Sequence, residues 1–505
     1  MQKCRIPLAR HHALKDQPMS LEHYDNRYKN LGFAVLDMSE KCPDLLAVVT
    51  DKTLVNYKQL GELIRNFAAR MQAVGVRRGS AVALESEDIL IVIPVFMATA
   101  LLGAQWIAFK NYKILSTVVQ PTHWFRGHDG EGSPKLPFVL IDDEWVQTKV
   151  EADVFEGYAD PETPFLYANT SGTTGTPKLL TITQRMMFDR AVAPAEDFVE
   201  RKTVFCSLFT PTAYPYIARF VAALKNGATI VHSQKPEMWY ACGVNHLYGS
   251  VTQVTELLGK ITLPRKLPMI HVSGSKCGDQ LALHLLNSFE QVVDLYASTE
   301  TNRSFKNIKY LGEDGKLHTK GKFLDSEVEI VDDAGKPVPA GEVGLVRVRN
   351  SYLVKGYLNS PEAEAKAFRD GWFFSGDFGT WGPEGGLQVL GRTGDVINKG
   401  GIKVSALAID EVLREAEGVA DAMCFDNPRE DGPSEILAFV VFAAGKASPE
   451  VIENINRLCA ARLGAVKTPS RIIETNMVPR AHDGGAQRFI CHEIYQRMHA
   501  TTELR

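Results

Sequence analysis

The chain has 505 residues, 45% hydrophobic and 23% charged, with 56 basic against 60 acidic side chains and a formal charge of -4. That balance excludes a polybasic nucleic-acid binder, whose phosphate contacts need a concentrated positive field. The apolar content excludes a disordered chain. The length allows roughly two to four domains and more than one sizeable core.

Met1–Lys15 is polar and dotted with His, Arg and Lys, without the apolar stretch of a secretion signal. No apolar run reaches the roughly 18 residues of a membrane span. The closest, Ile89–Ala108, holds Pro94, Gly103 and Gln105 and reads as a buried helix followed by a strand. The 8 cysteines form no CxxC pair, which argues against a zinc knuckle or a dithiol centre. A reducing, cytoplasmic setting is the expectation.

In chain order, Leu45–Thr50 reads as a strand. Asn56 caps a helix with Gln59 as its capping-box partner, Leu60, Ile64, Phe67, Ala68 and Met71 recur on one face, and Gly75 ends it. Gly79–Leu84 returns to strand. Leu166–Ala168, Phe205–Leu208, Thr229–Val231, Pro268–Val272 and Val292–Leu295 are further strands, with a helix over Ile217–Leu224. Strand and helix alternate, the mark of α/β layers. Ser326–Asp332 and Val343–Arg349 alternate apolar and polar residues, which predicts a small half-exposed sheet. Near residues 390–396 the pattern changes. A helix capped by Ser405, strands Val419–Phe425 and Ile436–Phe442, a helix Pro449–Leu463 and a strand Arg471–Glu474 make a compact α+β unit. The expected fold is therefore α/β: a large N-terminal region of layered subdomains with a small sheet or barrel subdomain, residues 1–393, and a mobile α+β lid, residues 394–505.

The sharpest local signal is Thr170-Ser171-Gly172-Thr173-Thr174-Gly175-Thr176-Pro177-Lys178. Glycines permit tight curvature, and hydroxyls and exposed N–H groups donate to phosphate oxygens. It is neither a GxxxxGK[ST] loop nor a dinucleotide fingerprint, and composition alone leaves a bare turn open. The string resembles the signature loop of the adenylate-forming enzymes, which include acyl-CoA synthetases, peptide-synthetase adenylation domains and beetle luciferases. Tyr296-Ala297-Ser298-Thr299-Glu300 resembles that family's Tyr-Gly-x-Thr-Glu segment. Gly371-Trp372 with Ser375-Gly376-Asp377 resembles its Gly-Trp…Thr-Gly-Asp segment, and Gly391-Arg392-Thr393-Gly394-Asp395 with Gly400-Gly401 resembles its hinge and the start of its lid.

The resemblance implies roles. Tyr296 would stack on adenine, with Ser275 and Ala297 beside the AMP; Thr299 would bond the α-phosphate and Glu300 would hold Mg²⁺. Asp377 would accept from the ribose hydroxyls and Arg392 would reach ribose or phosphate. Gly394–Asp395 would be the hinge, and Gly400-Gly401 would leave room for a phosphopantetheine arm. Tyr214, Tyr216, Gly274 and Ser298, with Ser275 and Ala297, would line an acyl pocket suited to aryl, terpenoid or other bulky acids. Phe209-Thr210 stands where amino-acid-activating relatives carry Phe-Asp, which disfavours a free α-amino acid.

The chain also departs from the family. Its lysine motif reads Pro479-Arg480-Ala481-His482-Asp483-Gly484-Gly485-Ala486-Gln487-Arg488, which puts Gly485 at the lysine's place. Gln184 replaces a His after the phosphate loop. Losing a cation that balances transition-state charge typically costs about 3–4 kcal/mol. The expectation is therefore an enzyme that runs mainly the thioester-forming half-reaction, acyl-AMP plus CoA to acyl-CoA plus AMP, supplied by a separate adenylating enzyme. The alternatives are a complete ATP-dependent acyl-CoA synthetase, a carrier-protein-loading acyl-AMP ligase, a luciferase-like oxidative enzyme, or a scaffold that binds acyl-AMP without turnover. The expected ligands are a carboxylic acid or its adenylate, coenzyme A, AMP, ATP and Mg²⁺, in a cytoplasmic homodimer. Among ligases, the chain also resembles those of platensimycin/platencin-type diterpenoid antibiotic biosynthesis.

Overall fold

The computed structural model describes residues 30–107, 118–130, 137–147, 155, 157–158, 160–170, 178–193, 198, 202–382, 384–399, 402–429, 432–480 and 486–500. The chain divides into two compact units, residues 1–327 with 349–373 and residues 328–348 with 374–505. The 393/394 junction drawn from the sequence falls inside the second unit.

The first unit is built on two sheets. Its strands are β1 (Leu46–Thr50), β2 (Leu54–Asn56), β3 (Ala81–Glu85), β4 (Gln105–Ile107), β5 (His123–Arg126), β6 (Val139–Leu140), β7 (Pro164–Thr170), β8 (Lys178–Thr183), β9 (Val204–Ser207), β10 (Thr229–His232), β11 (His246–Ser250), β12 (Leu267–Ser273), β13 (Phe289–Ser298), β14 (Asn302–Leu311) and β15 (Leu317–Phe323). Six of them run in the order β6-β5-β3-β4-β7-β8 and nine in the order β15-β14-β13-β12-β11-β9-β10-β1-β2. The central strands pair in parallel, whereas β7–β8 and β13–β14 are antiparallel. Helices α1 (Leu31–Lys41), α2 (Tyr57–Ala73), α3 (Ile89–Leu101), α4 (Gln184–Val192) and α5 (Tyr214–Lys225) accompany them. Residues of α1, α2, α3 and α5 share one apolar core with residues of both sheets.

Local chemistry explains these elements. Asn56 caps α2, and Gln59 returns the bond to the Asn56 N–H, as its spacing predicts. Helix α3 is apolar on every side and carries Pro94, and it is buried almost throughout because sheet and helices enclose it. Among the described residues, no helix is long and apolar enough to cross a membrane.

The second unit contains β16 (Glu327–Val331), β17 (Gly344–Arg349), β19 (Trp372–Trp381) and β20 (Leu387–Arg392) as a small sheet, with β20 pairing β19; the short β18 (Phe368–Arg369) pairs with the start of β19. The ribbon of β21 (Val396–Lys399) and β22 (Ile402–Ser405) follows. Then β23 (Val419–Arg429), β24 (Gly432–Phe442) and β25 (Arg471–Glu474) form a three-stranded sheet with α6 (Ala406–Glu415), α7 (Pro449–Leu463) and α8 (Arg488–Ala500). Ser405 caps α6 by accepting from the Ala408 N–H at 3.2 Å. Ile409, Val412 and Leu413 face the core, and so does the charged Asp410.

Candidate active site

In the first unit, β7 and β8 pair antiparallel, and the final pair sets Thr170 opposite Lys178. The phosphate-loop candidates Ser171, Gly172, Thr173, Thr174 and Gly175 lie outside the described residues. Lys178 Nζ stands 5.0 Å from the centre of the Tyr357 ring, within cation–π range. The next residue is tied down on both sides: Leu179 N–H donates to Asn359 Oδ1 at 2.9 Å, and its carbonyl accepts from Leu358 N–H at 2.7 Å.

Strands β13 and β14 are joined by the turn holding Thr299 and Glu300. Tyr296 is half-buried and Ala297 exposed beyond a register shift between them. The Ser298 hydroxyl accepts from Thr301 N–H at 3.1 Å. Asn302 sits at a φ of 59°, a left-handed setting that asparagine tolerates better than most residues.

Arg190, fully buried in α4, organises this turn. Its NH1 donates to Thr299 O at 2.9 Å and to the Tyr214 hydroxyl at 2.6 Å. Its NH2 donates to Glu300 O at 2.8 Å and to Tyr352 O at 3.0 Å. A guanidinium tolerates burial when its N–H groups find acceptors, and here those acceptors are the site's own backbone. The Glu300 carboxylate is also buried, and its Oε1 accepts from the Tyr357 hydroxyl at 2.7 Å. Tyr357 therefore links Glu300 to Lys178, one through its hydroxyl and the other through its ring.

Gly274 and Ser275 are exposed just past the end of β12. The register of β12 on β13 ends at Val272 opposite Asp294, two residues before Gly274 and Tyr296 in their own segments. Tyr216, grouped with the acyl pocket from its sequence neighbourhood, instead belongs to the apolar core. It faces inward from α5, with its ring against Phe220 and His232. Tyr214, two residues earlier, is half-buried and reaches Arg190. Phe209 and Thr210 line a cavity of about 140 Å³ with Glu87, Ser207, His232 and Ser233.

In the second unit, Asp377 and Arg392 are cross-strand partners on the β19–β20 ribbon, with Arg392 Nε 3.6 Å from Asp377 Oδ1. Residues 393–395 form a single tight 3-10 turn. Asp395 closes it: its Oδ2 accepts from Arg392 N–H at 3.3 Å, and its Oδ1 accepts from Arg488 Nε at 2.7 Å. Gly400, Gly401 and Gly485 lie outside the described residues.

The sequence had not singled out Arg190 or Tyr357. A lone arginine in a helical stretch reads as a solvated charge, and a tyrosine after a glycine reads as packing. The available signal was an arginine amid Met186, Met187, Phe188, Ala191 and Val192, an apolar setting that forces a charge to find buried acceptors.

Layered parallel-sheet α/β construction with a small sheet and a C-terminal α+β lid is the architecture of the adenylate-forming enzymes. A family model for AMP-binding enzymes matches residues 126–358, and one for the AMP-binding enzyme C-terminal domain matches residues 408–484. The chain belongs to this AMP-binding family, in its acyl-CoA synthetase and ligase branch. It is similar to the oxalate–CoA ligase of Arabidopsis thaliana, at 26% identity over 90% of this chain and 96% of that one. It is similar to the salicylyl-CoA synthase/salicylate adenylyltransferase of a Streptomyces species, at 25% identity over 90% of this chain and 91% of that one. The O-succinylbenzoate coenzyme A synthetase of Bacillus subtilis, solved in complex with ATP and magnesium ion, superposes with a TM-score of 0.76 at 21% identity, over 90% of this chain and 98% of that one.

The expectation of an enzyme confined to the thioester-forming half-reaction is overturned. The relatives are CoA ligases and a named adenylyltransferase, and a coenzyme A synthetase solved with ATP and magnesium ion shares the fold. The inference from Gly485 fails for a physical reason. Residues 481–485 lie outside the described residues, between the paired Arg480 and Ala486, and a position counted along the sequence does not say where a cation stands in space. The separate adenylating enzyme loses its rationale with it. The diterpenoid-pathway resemblance gains no support from these relatives.

Proposed function

We propose that this chain is a complete ATP-dependent acid–CoA ligase: a carboxylic acid, ATP and CoA give acyl-CoA, AMP and pyrophosphate. The observation that carries this reading is the Arg190-pinned turn, which holds a buried Glu300 carboxylate on the Tyr357 hydroxyl, with Lys178 5.0 Å from the centre of the same ring. In the first step an oxygen of the acid attacks the α-phosphorus and pyrophosphate leaves. In the second, the sulfur of CoA attacks the acyl carbon, AMP leaves, and the thiol proton passes to solvent.

Within this reading, Glu300 would hold Mg²⁺, which would supply positive charge for the phosphates of ATP. Among the described residues there is no cluster of three metal-ligating side chains, and one carboxylate plus phosphate oxygens and water suits that hard cation. Thr299 and the sequence segment from Thr170 to Lys178 receive the phosphates, and electrostatic positioning of this kind is the main source of rate in phosphoryl chemistry. Tyr296, Ser275 and Ala297 take the adenine end, and Asp377 and Arg392 the ribose. Tyr214, Gly274 and Ser298 border the acyl group. The lid comprises residues 394–505, turns at Gly394–Asp395 and brings Gly400-Gly401 to the pantetheine arm. A cytoplasmic homodimer completes the reading, and light scattering of the purified chain reports the oligomeric state.

The test is ATP–pyrophosphate exchange across a panel of aryl, dicarboxylic and other bulky acids, followed by mass spectrometry of the CoA thioester. Acid-dependent exchange and the matching acyl-CoA are expected. Thioester formation from synthetic acyl-AMP without exchange for any acid overturns the reading.

A further inference from the structure

We propose that Arg488 is a positioning residue for the ligase reaction: its guanidinium is the clasp that sets the hinge at Asp395, and with it the balance between acyl-adenylate formation and thioester formation. This rests on the function proposed above. Arg488 opens α8 and is almost fully buried. It holds three partners at once: Nε donates to Asp395 Oδ1 at 2.7 Å, NH2 to Asp410 Oδ2 at 2.7 Å, and NH1 to the Cys424 carbonyl at 2.5 Å.

The three attachments are not equivalent. Asp410 is 2% exposed, on α6, and its other oxygen accepts from Cys424 N–H at 2.6 Å. Asp410, Cys424 and Arg488 thus join α6, β23 and α8 into one body. Asp395 is different. Its side chain is 20% exposed, and it lies on the single turn between β20 and β21. Its carboxylate is shared between the Arg392 N–H on one side of the turn and Arg488 on the other.

A backbone rotation at Gly394–Asp395 carries Arg392 away from the body that holds Arg488. The carboxylate then cannot keep both partners. The guanidinium can release Asp395 without becoming an unpaired buried charge, because Asp410 and the Cys424 carbonyl stay with it. A bond that can be made and broken while its cation remains neutralised is what a two-position hinge requires. Lysine at this position keeps the charge beside Asp410 but lacks the fork that reaches Asp395 at the same time.

The experiment uses the full chain and the variants Arg488→Lys, Asp395→Asn and the pair together. Pyrophosphate exchange reads the first half-reaction, and CoA-dependent turnover of synthetic acyl-AMP reads the second. The ratio of the two rates is expected to shift about tenfold in the same direction in both single variants, and the double variant to go no further than the larger single. Rates that fall together by one factor, or shift in opposite directions, overturn the clasp and leave Arg488 as structural support. Hydrogen exchange supplies a readout independent of turnover: the amides of residues 392–396 are expected to exchange faster in both variants while β23 and β24 keep their protection. Unchanged exchange there overturns the proposal. A wild-type chain that performs neither half-reaction defeats the proposed function, and the exchange data still decide the clasp.

Discussion

Two buried arginines each hold a loop in this chain, and they do it with different chemistry. Arg190 pins the turn at Thr299–Glu300 through backbone carbonyls and a tyrosine hydroxyl. Arg488 holds the turn at residues 393–395 through a side-chain carboxylate, with a second carboxylate in reserve. Carbonyls belong to the chain itself, so a turn held by them moves only when the backbone moves. A carboxylate on a side chain can let go while its backbone stays in place. The first arrangement suits a site that must keep one geometry while charge develops on a phosphate, and the second suits a joint.

The contrast can be broken at several points. The largest effect belongs to the group held by the fixed turn. Glu300→Gln keeps an acceptor for the Tyr357 hydroxyl and removes the negative charge, so the melting temperature should hold while the exchange rate falls by about 100-fold or more. An unchanged rate in a Mg²⁺ titration would remove Glu300 from the metal's surroundings. Next is Arg190→Leu, which strands the carbonyls of Thr299, Glu300 and Tyr352 in the interior. Urea denaturation should show a loss of about 3 kcal/mol or more, since each buried group left unsatisfied costs about 1–3 kcal/mol.

Tyr357→Phe deletes one bond to the Glu300 carboxylate and leaves the ring facing Lys178. A hydrogen bond to a charged group contributes about 1.5–3 kcal/mol, so the KM for MgATP should rise by about tenfold or more with little change in fold. If kcat alone falls, Tyr357 acts on the chemical step rather than on binding.

The smallest effect is on stability against pH. Asp294, on β13 two residues before Tyr296, is enclosed, and burial pushes its carboxyl from the ordinary 3.8 up to about 6, partly offset by Lys309. Between these values the folded state binds more proton than the unfolded state, so stability falls as pH rises from about 4 to about 6, and the loss is complete above that range. Asp294→Asn should flatten that slope while its amide oxygen still accepts from Cys277 N–H. Denaturation across this window checks the sign, and an unaltered slope in the variant would assign the dependence to other groups.

Much of the architecture was legible in the amino-acid pattern. The Asn56–Gln59 capping box, the Pro449–Leu463 helix, the Arg471–Glu474 strand and the Ser405 cap all follow from local chemistry that tertiary contacts do not override. Strand β14 was not legible. Arg303, Lys306 and Lys309 stand at buried positions along it, so charge interrupts the alternation that marks a strand. Lys309 can sit inside because its ammonium donates to the Cys277 carbonyl and to Asp279. The site divides in the same way. Its motifs were readable as ordered strings, but the residues that brace them, Arg190 and Tyr357, come from separate parts of the chain and meet the site only once it is folded. Asp410 was not legible for a related reason: its place on the inner face of α6 breaks the apolar pattern, and its ion pair with Arg488, far along the chain, is what offsets its burial.

Under the proposed function, one chain carries out both halves of the reaction. The direct measurement is a single incubation of pure protein with ATP, Mg²⁺, CoA and an acid that supports exchange, with pyrophosphate and acyl-CoA followed together. Equal amounts of both products are expected, with pyrophosphate release dependent on the acid. Acyl-CoA formed only when acyl-AMP is supplied ready-made, with no pyrophosphate from ATP, would contradict that function.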